Sequence, residues 1–277
     1  MKTLLVPIDF SETSKKALQV AATIAKRIKA KIVITHMAGL EDGFTKTPNS
    51  FEEALYFSKV VGKKFEELVQ APYLDGILVE PILQKHLNFN SVSKMALEMN
   101  TDLIIMGSNG AKGFEEFFIG SNTEKVVRSS EIPVLVIKDN SLNFDPERIL
   151  YASDFNLEGI SAYHRIVKVA TLLGAQIEFL YINTPGNNFK STAEMDQTLV
   201  DFFKKVEHPE PLEALKTVKR FADYTVEQGI MRYASLSGTD IIAIPTHGHK
   251  GITHFFKGSI SEDIANHATM PVLTVKM

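Results

Sequence analysis

Apolar and polar positions alternate along this chain in blocks rather than residue by residue. Thr3 to Ile8 is a short apolar run that stops at Asp9. After it, Ser11-Glu-Thr-Ser opens a segment with apolar residues at Ala17, Val20, Ala21, Ile24 and Ala25. Runs of that length followed by 3.6-residue spacing predict a strand, a tight turn and a capped helix. The same alternation predicts strands at Lys31–Met37, Gly76–Leu83, Asp102–Met106 and Pro133–Lys138, with helices at Ser50–Val69, Ser91–Met99 and Asn122–Arg128. Strands separated by helices imply parallel neighbours joined by right-handed crossovers, with helices on both faces. The expected architecture is α/β, a doubly wound sheet whose strand order 3-2-1-4-5 reverses between strands one and four. Ligands in such sheets sit beyond the carboxyl ends of the strands at that reversal, so Asp9 and Gly107 are expected to face one crevice.

The loop after the fourth strand, Gly107-Ser-Asn-Gly110-Ala-Lys-Gly113-Phe-Glu-Glu-Phe-Phe-Ile-Gly120-Ser121, is rich in glycine and leads into a helix. Gly107 and Gly110 permit a close backbone approach, and Gly120 clears the space before a helix start whose amides favour an anion. Ser121 can cap that helix or donate to a phosphate oxygen. A second copy lies 138 residues onward, where Gly110, Gly113, Phe117, Phe118, Gly120, Ser121, Glu124 and Pro133 recur as Gly248, Gly251, Phe255, Phe256, Gly258, Ser259, Glu262 and Pro271. Eight positions in register make the chain an internal duplication. Two tandem repeats are expected, each a five-stranded parallel doubly wound sheet, over residues 1–139 and 147–277 with 140–146 as linker. In the second half, strands are expected at Ile149–Ala152, Gln176–Ile182, near Ala214–Val218, at Ile241–Ile244 and at Pro271–Lys276, and helices to Leu173, around Glu194–Val206 and from Asp223 to Leu236.

The length of 277 residues suits two domains, and 44% apolar with 23% charged content is ordinary for a globular protein. A formal charge of −3 offers no general attraction for nucleic acid or an acidic membrane surface, so neither is an expected partner. Without cysteine the chain has no disulfides, thiolate metal ligands or cysteine nucleophile. The N-terminal apolar run is too short for a signal sequence, and no apolar stretch approaches ~18 residues, so a cytoplasmic location is expected.

No Gly-x4-Gly-Lys-Ser/Thr loop is present, the dinucleotide glycine pattern is missing from the first strand-helix turn, and there is no Gly-x-Ser-x-Gly elbow. A Ser-Gly-Gly-x-Asp-Ser loop after the first strand is also lacking, which argues against ATP pyrophosphatases. His247, His249, His254 and His267 have no matching set in the first half and read as phosphate contacts or solvated groups rather than a metal site. Phe114, Phe117, Phe118, Phe255 and Phe256 read as packing anchors.

A Gly-x2-Gly-x9-Gly-Ser loop after the fourth strand, an Asp ending the first and an Ile-Pro-Val-Leu-Val strand closing the half resemble the universal stress protein family, and the resemblance covers both halves. It implies a Rossmann-like fold and, in the family's ATP-binding branch, an adenine-nucleotide site in each half. Carried onto this chain, Pro7, Ile8 and Asp9 would end the first strand beside the ligand, with Asp9 bonding the ribose or the adenine edge. The Met37 backbone would contact the base. Gly107, Gly110, Gly120, Ser121 and the Asn122 amide would hold the phosphates, and Met106 would also line the nucleotide site. The second site would use Asp154, Ile182, Gly248, Gly258, Ser259 and Ile260. The plainer reading of Asp9, a turn or cap residue before the first helix, stands beside this one.

The second half departs from the pattern at Pro245, which replaces Gly107 and has no amide to donate. Its loop carries His249, Lys250, His254 and Lys257, whereas the first carries Lys112 with Glu115 and Glu116. Local charge therefore favours a triphosphate in the second site, by a few tenths of a kcal/mol per exposed charge.

The expectation is a cytoplasmic stress-response protein that binds ATP, ADP or AMP, with or without magnesium, as a sensor through its 107–121 and 245–259 loops, acting on an unidentified protein partner. Weak ATPase activity is the most catalysis expected, and no catalytic residue is assigned. The alternatives are a metal-dependent phosphohydrolase or nucleotidyl transferase, and an adaptor with vestigial sites. The strand-five edges, Val134–Ile137 and Val272–Val275, are expected to pair within the chain as the family's dimers do, and dimerisation with a second copy is left open.

Overall fold

The structure, a computed structural model, describes residues 1–36, 51–83, 90–108, 121–138, 144–246 and 260–277. The chain divides into two units, Met1–Phe144 and Asp145–Met277. In the first, β1 (Thr3–Ile8), α1 (Glu12–Ile28), β2 (Lys31–His36), α2 (Phe51–Val69), β3 (Val79–Leu83), α3 (Asn90–Glu98), β4 (Leu103–Gly107), α4 (Ser121–Ser129) and β5 (Val134–Ile137) follow one another. All four strand pairings are parallel and give the order β3-β2-β1-β4-β5. The direction of winding reverses between β1 and β4, as the strand-helix alternation predicts.

Every residue of β1 is buried, because a parallel strand is covered on both faces. Leu5, Val33, Ile104, Met106, Val134 and Val136 pack with Val92, Met95 and Ala96 of α3 and Val126 and Val127 of α4. Strand alternation sends Leu4, Val6 and Ile8 to the opposite face, where α1 contributes its buried stripe of Ala17, Leu18, Ala21, Ile24 and Ala25. Ser11 caps α1 by accepting the Ser14 N–H at 3.2 Å.

The second unit comprises β6 (Arg148–Ala152), α5 (Ile160–Leu173), β7 (Gln176–Asn183), α6 (Thr192–Lys205), α7 (Pro211–Thr217), β8 (Lys219–Ala222), α8 (Val226–Ser237), β9 (Ile241–Thr246), α9 (Ile260–His267) and β10 (Val272–Lys276). Its strands are also parallel, in the order β8-β7-β6-β9-β10. Each unit is therefore an α/β repeat of the expected topology. Thr3 pairs with Lys31 and Arg148 with Gln176, so residues 145 apart hold equivalent places in this part of the two repeats.

Two expectations are corrected here. Residues 214–218 do not form a strand: Pro211 starts α7 with its fixed φ, and Ala214 and Val218, four apart, turn inward together. The third strand of this unit begins one residue later, at Lys219. The following helix starts at Val226, where the Thr225 side chain accepts the Gln228 N–H, rather than at Asp223. Asp223 is instead buried and ion-paired with Arg232 at 3.0 Å.

Candidate functional site

The first strand of each unit ends in the same short turn. In the first unit one carboxylate oxygen of Asp9, Oδ1, accepts the Ser11 N–H at 3.0 Å and the Ser11 hydroxyl at 2.5 Å. Ser11 in turn caps α1, so Asp9 is tied to the helix start, in keeping with the plainer reading. That role uses one oxygen; Oδ2 makes no hydrogen bond among the described residues. Between them Phe10 adopts a left-handed φ of 63°, a conformation that costs an L side chain about 1–2 kcal/mol. Packing holds it there: its ring lies 4.8 Å from that of His36 and 5.5 Å from that of Phe65, with Lys64 Nζ 5.0 Å from its centre. His36, buried at the end of β2, donates from Nδ1 to the Ile8 carbonyl at 2.8 Å. This bond and the Asp9 turn together fix the carboxyl end of β1.

Level with Ile8, by the register that pairs Leu5 with Ile104, stands Gly107 at the end of β4. A Cβ there would lie 2.8 Å from Thr13 Cγ2 and 2.9 Å from the Thr13 backbone, so the first turn of α1 crosses directly over it. Thr123 donates from Oγ1 to the Gly107 carbonyl at 2.8 Å, which anchors the first turn of α4 at the same edge. Pro7 and Ile8 of β1 with Asp9 just after it, Met106 and Gly107 of β4, and Ser121 and the exposed Asn122 at the start of α4 thus gather at the β1/β4 reversal. A carboxylate oxygen on one side and a helix start on the other can receive a hydroxyl and an anion respectively. Met37, Gly110 and Gly120 lie outside the described residues.

In the second unit Asp154 occupies the place of Asp9, and Phe155 the place of Phe10 with a φ of 54°. Here both carboxylate oxygens are engaged by one residue: Asn156 donates its N–H to Oδ1 at 3.3 Å and its side-chain amide to Oδ2 at 2.9 Å. Asn156 also accepts the Gly159 N–H at 3.1 Å, capping the 3-10 turn Leu157–Gly159 that leads into α5. Phe155 is fully buried, with Tyr181 stacked on it at 6.1 Å and 11°. Burial pushes the nearby Tyr151 phenol well above the usual tyrosine range. Ile182 lies inside β7 opposite Phe221, and its side chain packs where a Cβ on Gly229 would come within 2.9 Å of it. Pro245 is within β9, paired with Val275. Ile260 opens α9, while Gly248, Gly258 and Ser259 and the charged loop residues around them lie outside the described residues.

Three features escaped the sequence reading. The left-handed Phe10 and Phe155 could have been found from the recurrence of Asp-Phe-Ser as Asp-Phe-Asn. Asp102 and Asp240, which begin the fourth strands, accept the Thr3 N–H at 3.0 Å and the Glu147 and Arg148 N–H groups at 2.9 Å, fastening the first strand of each unit. Their repeat in Thr-Asp pairs at 101–102 and 239–240 was a signal. The His36 and Thr123 anchors left none, because their partners are backbone carbonyls far away in sequence.

The model of the universal stress protein family matches residues 1–138 and again 146–276. A universal stress protein of Methanocaldococcus jannaschii is 29% identical over 154 residues, spanning 50% of this chain and 94% of its own length. A putative universal stress protein of Staphylococcus aureus is 29% identical over 157 residues, 53% of this chain and 90% of its own. The crystal structure of a universal stress protein from Archaeoglobus fulgidus superposes with a TM-score of 0.71 over 99% of this chain and 98% of its own, at 21% identity, a likeness of fold. Matched over both of its repeats, the chain belongs to the universal stress protein family.

Proposed function

We propose that this protein is a stress-response regulator that binds an adenine nucleotide, ATP foremost, at the carboxyl edge of its sheet, and that occupancy alters the surface read by a protein partner. The observation that carries this reading is the Asp9 turn. One oxygen of the carboxylate is committed to Ser11, which holds the group in place, and the other makes no hydrogen bond among the described residues at the point where β1 and β4 part. A ribose diol fits such an acceptor. The helix start that Thr123 anchors beside Gly107 suits the phosphates, with the Gly110, Gly120 and Ser121 loop completing the contacts.

Among the described residues no group of three or more His, Asp or Glu could hold a metal ion. No helix is long and apolar enough to cross a membrane among those residues. The reading is that of a binding module.

Mass spectrometry of gently denatured protein is expected to release ATP, ADP or AMP, and the stripped chain to take up ATP in equilibrium dialysis. A stripped chain indifferent to millimolar ATP would overturn the reading.

A further inference from the structure

We infer that the chain binds one nucleotide rather than two, in the first unit, and that the second unit keeps the fold of the site with the carboxylate after its first strand already engaged. This rests on the adenine-nucleotide reading above and deepens it. It also reverses the preference that loop charge alone suggests.

The carboxylates decide most of it. Asp9 and Asp154 occupy equivalent places, each two residues before a helix-capping side chain. Ser11 is short and has a single hydroxyl, which it gives to Oδ1 of Asp9 along with its N–H. Asn156 is one branch longer, and its amide reaches Oδ2 while its N–H holds Oδ1. A ligand hydroxyl at Asp154 would have to share Oδ2 with the Asn156 amide, in the space left beside a side chain that also holds the Gly159 N–H. At Asp9 the Oδ2 oxygen has no donor to share it with among the described residues.

Side-chain volume points the same way. At positions 145 apart, Val6, Leu18 and Ile34 of the first unit become Tyr151, Tyr163 and Phe179 of the second. These rings, with Phe202 and Phe203 of α6, surround Phe155 at centroid distances of 5.3–6.3 Å for the four that touch it directly. Phe155 is drawn fully inside, whereas Phe10 stays half-buried. Within β7 Tyr181 stacks on Phe155, Lys190 Nζ lies 5.8 Å from the Tyr181 ring, and the Asn183 amide bonds Lys190 in both directions at 2.9 and 3.1 Å. The chain leaving β7 is thereby tied back to the end of its own strand. Pro245 completes the set, since it brings no N–H to the position that Gly107 fills in the first unit.

Isothermal titration of the full chain, stripped of nucleotide, with magnesium-ATP tests this. The expected stoichiometry is one per chain. Asp9→Asn retains an Oδ1 acceptor for Ser11 and so keeps the turn, yet should weaken affinity tenfold or more; Asp154→Asn should leave it within twofold. Thermal melts of both variants confirm that each is folded. Two equivalents per chain would overturn the inference and leave the nucleotide reading standing, as would a single equivalent that survives Asp9→Asn or is lost with Asp154→Asn. No binding by the parent chain would overturn both.

Discussion

Gly107 illustrates how a residue can be legible in a sequence for a reason other than its structural one. Its place in a glycine-rich loop suggests clearance for a ligand, but the atoms nearest its missing side chain belong to Thr13, at 2.8–2.9 Å. Two of the three are backbone atoms at the start of α1 and cannot swing aside. Gly107→Ala should therefore cost about 1–3 kcal/mol by urea denaturation and shift the Asp9 turn that Thr13 follows. An alanine variant as stable as the parent would show that α1 does not sit where described. The equivalent Pro245 is accommodated in a unit whose helix start is built differently, with a 3-10 turn at Leu157–Gly159 ahead of α5. The functional candidate Asp9 was legible by position, but its division of labour between two oxygens was not, because that depends on the left-handed turn at Phe10 and on the reach of Ser11.

Among the elements, the parallel strands and amphipathic helices follow from the apolar pattern because central strands such as β1 are buried on both faces and helices such as α1 on one. The miss at α7 came from Ala214 and Val218, whose four-residue spacing serves a short helix while the intervening residues resemble an amphipathic strand. Strand placement has its own device in the Asp102 and Asp240 clamps. The Asp240 carboxylate oxygen Oδ2 receives two backbone N–H groups at 2.9 Å, so Asp240→Ala leaves both without that acceptor at the entry to β6. A loss of about 1–2 kcal/mol is expected in the urea transition of the full chain, since hydrogen bonds to a charged acceptor are worth more than neutral ones but these are part-exposed. A change no larger than a few tenths of a kcal/mol would show that β6 is fastened by its ladder alone.

For the whole molecule, the duplication predicts two similar units, and the two repeats share topology, the turn after the first strand and the aspartate clamp. They differ in what fills the core, aliphatic around β1 and aromatic around β6. If one unit carries the ligand, ATP at a hundredfold excess over its Kd should stabilise that unit by about 2.7 kcal/mol. Differential scanning calorimetry should then show the transition of the first unit rising by several degrees with ATP, an effect abolished by Asp9→Asn and kept by Asp154→Asn. Equal shifts of every transition would argue for two occupied sites.

The sequence by itself determined the duplication, the α/β alternation and the family, because periodicity and repeated spacing are properties of the chain read in order. Which oxygen of an aspartate is left over, which phenylalanine is swallowed by its neighbours and which glycine yields to a helix were decided by tertiary structure. Those outcomes depend on side chains from distant segments competing for the same few ångströms, and no spacing along the chain records who wins.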